Sequence, residues 1–176
     1  MTTIKPDFNL VRKWVNWKER NIKNKFKCIG ITLKSSSVKK DWSKENFSIL
    51  ISLLLNDGYN IILIDLEKDL ILDKHPNLFD IRGEISIVDV VGVLSLLDLF
   101  ITVDTGNLHI AGALGVKTIS IFGPTSPYIF TAYYDNFISV SVDLPCWPCH
   151  ETDCNNQKCL NMLEPEDIFD IVKEEI

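Results

Sequence analysis

Nowhere in its 176 residues does this chain carry an apolar run long enough to cross a bilayer. A crossing helix takes roughly 18 to 20 apolar residues, and an Asp, Asn or Gly breaks every stretch sooner. The start, Met1-Thr2-Thr3-Ile4-Lys5-Pro6, lacks the basic-then-apolar layout of a secretory signal. A cytoplasmic protein is expected on both grounds. Basic charge is also scarce: 18 Lys and Arg stand against 24 Asp and Glu, for a net charge of −6. A nucleic-acid binder needs clustered cations to displace counterions from phosphates, so nucleic acid is excluded as a partner. A small anionic ligand is not excluded, because a local nest of donors outweighs a distant acidic surface. Three glycine motifs are missing as well. Without Gly-x-Gly-x-x-Gly, Gly-x-x-x-x-Gly-Lys-Ser/Thr or Gly-x-Ser-x-Gly, the dinucleotide fingerprint, the P-loop ATPase and the hydrolase elbow all fall away.

What is present is an alternation of strand and helix periods. Residues 27–33, 60–65, 78–81, 99–103, 118–122 and 137–142 read as strands, and the run Asn60 to Asp65 is apolar enough to be buried on both faces. Between them, 43–57 reads as a helix with Phe47, Leu50, Ile51 and Leu54 on one face and Gly58 as its stop. Ser86 and Asp89 form a capping box for the next helix. A short helix spans 107–114 up to Gly115, and Pro165 opens a last one over 165–176. Such an order builds an α/β fold, a Rossmann-like parallel sheet with helices on both faces. Residues 1–25 stand apart as a leading helix or linker, and 26–176 form the domain, including a cysteine-rich loop at 143–163.

Ligands of an open parallel sheet collect at the carboxyl ends of its strands, which directs attention to three loops. Lys34 to Trp42 packs three hydroxyls and three ammonium groups into nine residues, a composition suited to phosphate and equally to a solvated surface loop. Asp104-Thr105-Gly106-Asn107-Leu108-His109 runs straight into a helix start, where free N–H groups and the dipole favour an anion. Gly106 admits a ligand close to the backbone, and His109 is expected on the side the anion would occupy. Asp104 and Thr105 would also serve as plain helix caps. Gly123 to Pro127 is stiff, with no decisive chemistry of its own.

Four of the five cysteines crowd the tail. Cys146, Cys149, Cys154 and Cys159 give a C-x2-C-x4-C-x4-C spacing that suits a structural Zn or Fe held by thiolates. His150 could replace one ligand, and reduced thiols packing the loop are the alternative. Cys28 reads as a small buried apolar residue.

Taken together, these loops resemble the C-terminal domain of glycosyltransferase family 9, the ADP-heptose:lipopolysaccharide heptosyltransferases. The resemblance runs from about Cys28 onward. It is most specific over Asp98 to Thr125, where Asp-Thr-Gly-x-x-His, a small-residue helix and Phe-Gly-Pro-Thr follow in the family's order. Lys40-Asp41-Trp42 matches its Lys-x-Trp. The resemblance implies the C-terminal half of a two-domain GT-B enzyme that performs inverting transfer without a catalytic cofactor. The donor would be an ADP-sugar, and a glycan or glycolipid acceptor would sit on an N-terminal domain outside this chain, together with the catalytic base. Lipopolysaccharide or other envelope glycan synthesis, at most peripheral to the inner membrane, is the implied setting. Carried onto this chain, Ser36 and Lys40 contact the donor diphosphate, while Asp104, Thr105, Gly106 and His109 line the donor pocket. Glu67 is a candidate ribose ligand without the family's Gly-rich context, and Asp69 has no better claim. Catalysis by 1–176 alone is not expected. A non-catalytic module derived from such a transferase, or half of a GT-B nucleotide-sugar epimerase, are the competing readings.

Overall fold

The computed structural model describes residues 5–131, 133–149 and 154–176. Six parallel strands form one sheet. In chain order they are β1 (Cys28–Thr32), β2 (Asn60–Leu63), β3 (Leu78–Asp80), β4 (Leu99–Val103), β5 (Thr118–Ile121) and β6 (Phe137–Val140). They lie side by side as β3-β2-β1-β4-β5-β6, the doubly wound order whose direction of winding reverses between β1 and β4. Register follows from the pairs Ile31 with Leu63, Ile31 with Ile101, and Ile101 with Ile119. The α/β Rossmann-like fold expected from the alternation is the one found.

Strand period sorts the core into two layers, because successive side chains leave opposite faces. Ile29, Ile31, Ile61, Leu63, Leu99 and Ile101 point to one face, Cys28, Ile62, Ile64 and Phe100 to the other, and all are buried. The first face is covered by α2 (Lys44–Asn56) and α7 (Pro165–Glu175). Phe47, Leu50, Ile51 and Leu54 recur at helical spacing there, and Ser43 caps the start by accepting from the Asn46 amide at 3.0 Å. The second face carries α1 (Phe8–Asn21), α3 (Ile87–Leu94) and α4 (Gly106–Leu114). Each fully buried Leu, Ile or Phe contributes about 1.5–3 kcal/mol, so both layers are substantial.

The helix α1, expected as a leader or linker, is built into the second layer. Asp7 caps it, Trp14 is 4% exposed, and the Trp14 indole donates to Asp89 at 3.1 Å. The close approach of α1 to α3 needs a bare backbone at Gly92, where an added Cβ would come within 2.5 Å of the Trp14 ring. Ser86 and Asp89 do form the capping box of α3. Gly115, at φ 72°, takes the left-handed turn that ends α4. Two short helices were not foreseen: α5 (Pro127–Phe130), opened by its own proline, and α6 (Lys158–Asn161) within the cysteine loop. Among the described residues no helix is long and apolar enough to cross a membrane.

Candidate functional site

The loop after β1 is a turn tied to itself. The Ser35 amide and hydroxyl both donate to Asp41 Oδ1, at 2.6 and 2.8 Å, and the Ser35 hydroxyl also lies 2.7 Å from the Ser37 carbonyl. Asp41 thus organises the serines, while Trp42, 2% exposed, anchors the far end. Its indole donates to the Leu163 carbonyl and its ring meets Phe47 edge-on at 5.1 Å. Held this way, Lys34, Ser35 and Ser36 face the carboxyl rim of the sheet, and Lys40 reaches across to β4.

Lys40 Nζ stands 3.3 Å from Oδ2 of Asp104. Asp104 is 5% exposed and accepts from the Thr125 hydroxyl on the same oxygen at 2.8 Å. A buried carboxylate needs such partners. Here they come from the loops after β1 and β5, including the Gly123–Pro127 loop for which the sequence suggested no chemistry. Beyond Asp104 the chain turns into α4 at Thr105, whose side chain makes no capping hydrogen bond. The first amides of α4 are therefore left without that usual partner. Among the described residues nothing lies within 4 Å of a Cβ placed on Gly106. Asn107 donates to the Thr32 hydroxyl at 3.1 Å, which donates in turn to the Ile64 carbonyl at 2.7 Å.

These elements enclose a cavity of about 450 Å³ at the point where the sheet reverses its winding. Ser36, Glu67, Thr105 and Gly106, all singled out in the sequence, line it together with Lys34, Thr32 and Asn107. Ile64, Ile85 and Val90 supply an apolar wall on the β2 side. Asp104 and Lys40 do not line this cavity; they sit beside it under the start of α4. His109 does not line it either. It is exposed, on the side of α4 that faces Tyr134, with Nδ1 3.4 Å from the phenol oxygen.

One lining residue was missed by the sequence reading. Asp65, at the end of β2, accepts from the Leu33 amide at 2.8 Å. Burial drives its carboxyl up to about 7, against the pull of that amide and of Arg82, while Asp69 adds to the rise. A carboxylate closing a fully apolar strand was the available signal. Nearby, Lys34 pairs with Asp69 at 2.8 Å and with Glu67 at 3.6 Å. Burial would raise Asp69, but hydrogen bonds from Lys34 and Lys44 outweigh it and hold the acid at about 2. Arg82, 1% exposed, closes the far side through Asp80 and the Leu70 carbonyl, and its Nη1 has no hydrogen-bond partner among the described residues.

The family model of glycosyltransferase family 9 (heptosyltransferase) matches residues 1–160. This chain belongs to that family. Lipooligosaccharide heptosyltransferase 2 of Campylobacter jejuni is 36% identical over 85 residues, 46% of this chain and 27% of the relative. The structure of ADP-heptose lipopolysaccharide heptosyltransferase II from E. coli superposes with a TM-score of 0.78 at 16% identity, covering 98% of this chain and 52% of that one. E. coli heptosyltransferase WaaC, solved with ADP, gives 0.68 at 18% identity, with 99% and 51% covered. The fold is thus shared, and the chain spans about half the length of these solved relatives.

In this family 9 chain the four late cysteines gather around a small cavity of about 50 Å³ with Lys39 and Pro124. Among the described residues, however, no three His, Cys, Asp or Glu are grouped so as to hold a metal ion. The Zn or Fe expected from the spacing of Cys146, Cys149, Cys154 and Cys159 is not placed by these residues, while TibC, a solved relative with a TM-score of 0.67 at 17% identity, is an iron-containing heptosyltransferase. Cys146 is exposed and the other three are half-buried. His150, the proposed substitute ligand, lies outside the described residues. Burial, with Cys149, Cys154 and Cys146 adding to it, raises the Cys159 thiol above its ordinary value. The loop is fastened by other bonds: Trp147 indole to the Gly123 carbonyl at 2.9 Å, Cys149 amide to the Pro124 carbonyl at 3.1 Å, and Lys39 ammonium to the Cys154 carbonyl at 2.8 Å.

Proposed function

We propose that residues 26–176 form the donor-binding half of an inverting, heptosyltransferase-like glycosyltransferase of cell-envelope glycan synthesis. The observation that carries this reading is the 450 Å³ cavity, which joins the start of α4 to the serine-rich loop at the winding reversal. An anion is stabilised there by unpaired backbone amides and the helix dipole, with the Ser36 hydroxyl and the Lys34 ammonium on the opposite wall. Strand order then lays out the ligand. The base and ribose lie toward β2, against Ile64, Ile85 and the acids after that strand. The diphosphate sits over Thr105 and Gly106. The sugar extends past β4 and β5, toward Asp104, Thr125 and His109.

In the reaction, an acceptor hydroxyl attacks the anomeric carbon while a base on the partner half takes its proton, and nucleoside diphosphate departs. Charge builds on the leaving phosphate. The start of α4 and Lys34 therefore interact more strongly with the transition state than with the ground state, which is what acceleration requires. The acceptor and the base belong to a second domain, so this chain binds donor without turning it over. ADP is the favoured nucleotide, in keeping with the ADP held by the E. coli relative.

Calorimetric titration with ADP, UDP and GDP tests the reading. ADP should bind best, and incubation with ADP-heptose and a lipid A–Kdo acceptor should give no transfer. Absence of binding by all three nucleotides, or sugar transfer by the chain alone, would overturn it. Asp104→Asn and His109→Ala should weaken ADP-heptose while leaving ADP within about twofold, less than the 1.4 kcal/mol of a tenfold change.

A further inference from the structure

We propose that the outer face of α1 and the segment that follows it, residues 8–27, form a docking surface for an anionic lipid bilayer. The proposal goes beyond the donor site and stands without it. Residues 5–27 hold eight of the chain's 18 Lys and Arg but only two of its 24 Asp and Glu. A local excess of positive charge thus sits on a chain whose net charge is −6. The fold uses part of that excess to fasten α1. Lys13 pairs with Asp89, Lys18 donates to the Leu96 carbonyl, and Lys27 pairs with Asp98. Arg12, Arg20, Lys23 and Lys25 are exposed, and among the described residues none of them pairs with a carboxylate. Arg20 and Lys23 donate instead to the backbone carbonyls of Asn16 and Glu19.

Helical spacing gathers these cations on one side. With Trp14 turned into the core, Arg12, Asn16 and Arg20 stand four residues apart on the exposed stripe, and Lys23 and Lys25 continue it past the helix end. Phe8, 74% exposed, and Phe26, 56% exposed, mark the two ends of the stretch. Beside Phe26 an open groove of about 490 Å³ brings Val15 and Ile22 together with Lys18, Lys25 and Lys27. Its acids are Glu19 and Asp98, and Lys27 already engages Asp98. Cations clustered on an amphipathic helix are drawn to anionic headgroups, while exposed rings enter the boundary beneath them. The placement also suits a membrane-rooted acceptor. α1 runs beside α3 in the same direction, Trp14 level with Asp89 and Lys18 with Leu96, so the surface lies on the flank of the sheet between rim and floor. A domain resting on that flank opens its rim along the bilayer plane.

Vesicle flotation of the whole chain tests the surface. Vesicles of phosphatidylcholine alone are compared with an equimolar mixture of phosphatidylcholine and phosphatidylglycerol. The chain should bind the mixed vesicles and not the neutral ones, and more weakly as salt screens the attraction. Each cation at an anionic surface gives about fivefold in partitioning. Arg12→Gln/Arg20→Gln and Lys23→Gln/Lys25→Gln should therefore each bind about tenfold or more less tightly. Lys158→Gln/Lys173→Gln removes the same charge from α6 and α7 on the other face of the sheet and should stay within about twofold of wild type. No binding to the mixed vesicles, equal binding to both kinds, or an equal loss in the α6–α7 variant overturns the proposal. So does tighter binding of a single-stranded DNA oligonucleotide than of the mixed vesicles, which would assign the surface to nucleic acid. The replaced side chains are exposed, so circular dichroism should match wild type; if one pair of substitutions unfolds the chain, the other pair decides.

Discussion

Lys40 and Asp104 close an ion pair between the loop after β1 and the end of β4, and Thr125 donates to the same carboxylate oxygen from the loop after β5. One buried acid thus joins three loops of the binding rim. Lys40→Met removes the cation and strands a nearly buried charge, which should cost about 2–3 kcal/mol. Asp104→Asn in the Lys40→Met background should recover part of that loss, because no unpaired charge remains. Urea unfolding of the two single variants and the double variant measures the coupling. Strict additivity would mean that the pair contributes nothing.

Gly106 offers a way to separate fold from ligand. A Cβ there meets no atom of the described residues within 4 Å, and helix propensity favours almost any residue over glycine by up to about 1 kcal/mol. Gly106→Val should therefore unfold at the wild-type midpoint or slightly above. Its side chain would fill the approach to the first amides of α4, and ADP affinity should fall about tenfold or more. An unchanged dissociation constant in a well-folded variant would move the diphosphate elsewhere.

The proton on Asp65 ties stability to pH. In the unfolded chain this carboxyl titrates near 3.8, and burial carries it to about 7 in the fold, opposed by the Leu33 amide and by Arg82. Between those values the folded form keeps a proton that the unfolded form has released. Its contribution to stability is therefore complete below about pH 4 and disappears as pH climbs through 7. Asp65→Asn should remove this slope, so the wild-type-minus-variant difference in unfolding free energy should decline from pH 4 to pH 8. A flat difference would contradict the burial described.

Trp14 tests whether α1 is a detachable leader. Its ring is packed over Gly92 and its indole donates to Asp89, which also pairs with Lys13. Trp14→Ala should cost about 3–5 kcal/mol, as for a large aromatic in a core. A cost below about 1 kcal/mol, the usual range for a surface site, would make the helix an appendage.

Much of this was legible in the chain itself. The 2- and 3.6-residue periods do not overlap here, so Asn60 to Asp65 and the face Phe47, Leu50, Ile51, Leu54 announce strand and helix without help from tertiary contacts. Ser36, Thr105 and Gly106 were legible because loops after parallel strands must meet at one rim. His109 illustrates the limit. The helix begins at Gly106, one residue earlier than the sequence suggests. His109, three residues on, faces Tyr134 and does not line the cavity. Lys40 and Asp104 are 64 residues apart, and no local pattern announces their pairing. Asp65 looks like an ordinary strand end until the loop after β1 folds over it.

The far end of α7 has a practical use. Lys117, just ahead of β5, bonds the Glu175 carbonyl at 2.9 Å and its carboxylate at 3.0 Å, which pins that helix terminus to the floor of the sheet, opposite the ligand rim. A biotin or surface-coupling handle attached beyond Glu175 would hold the molecule with its mouth turned outward, so sensor-chip kinetics with small nucleotides should agree with those measured free in solution.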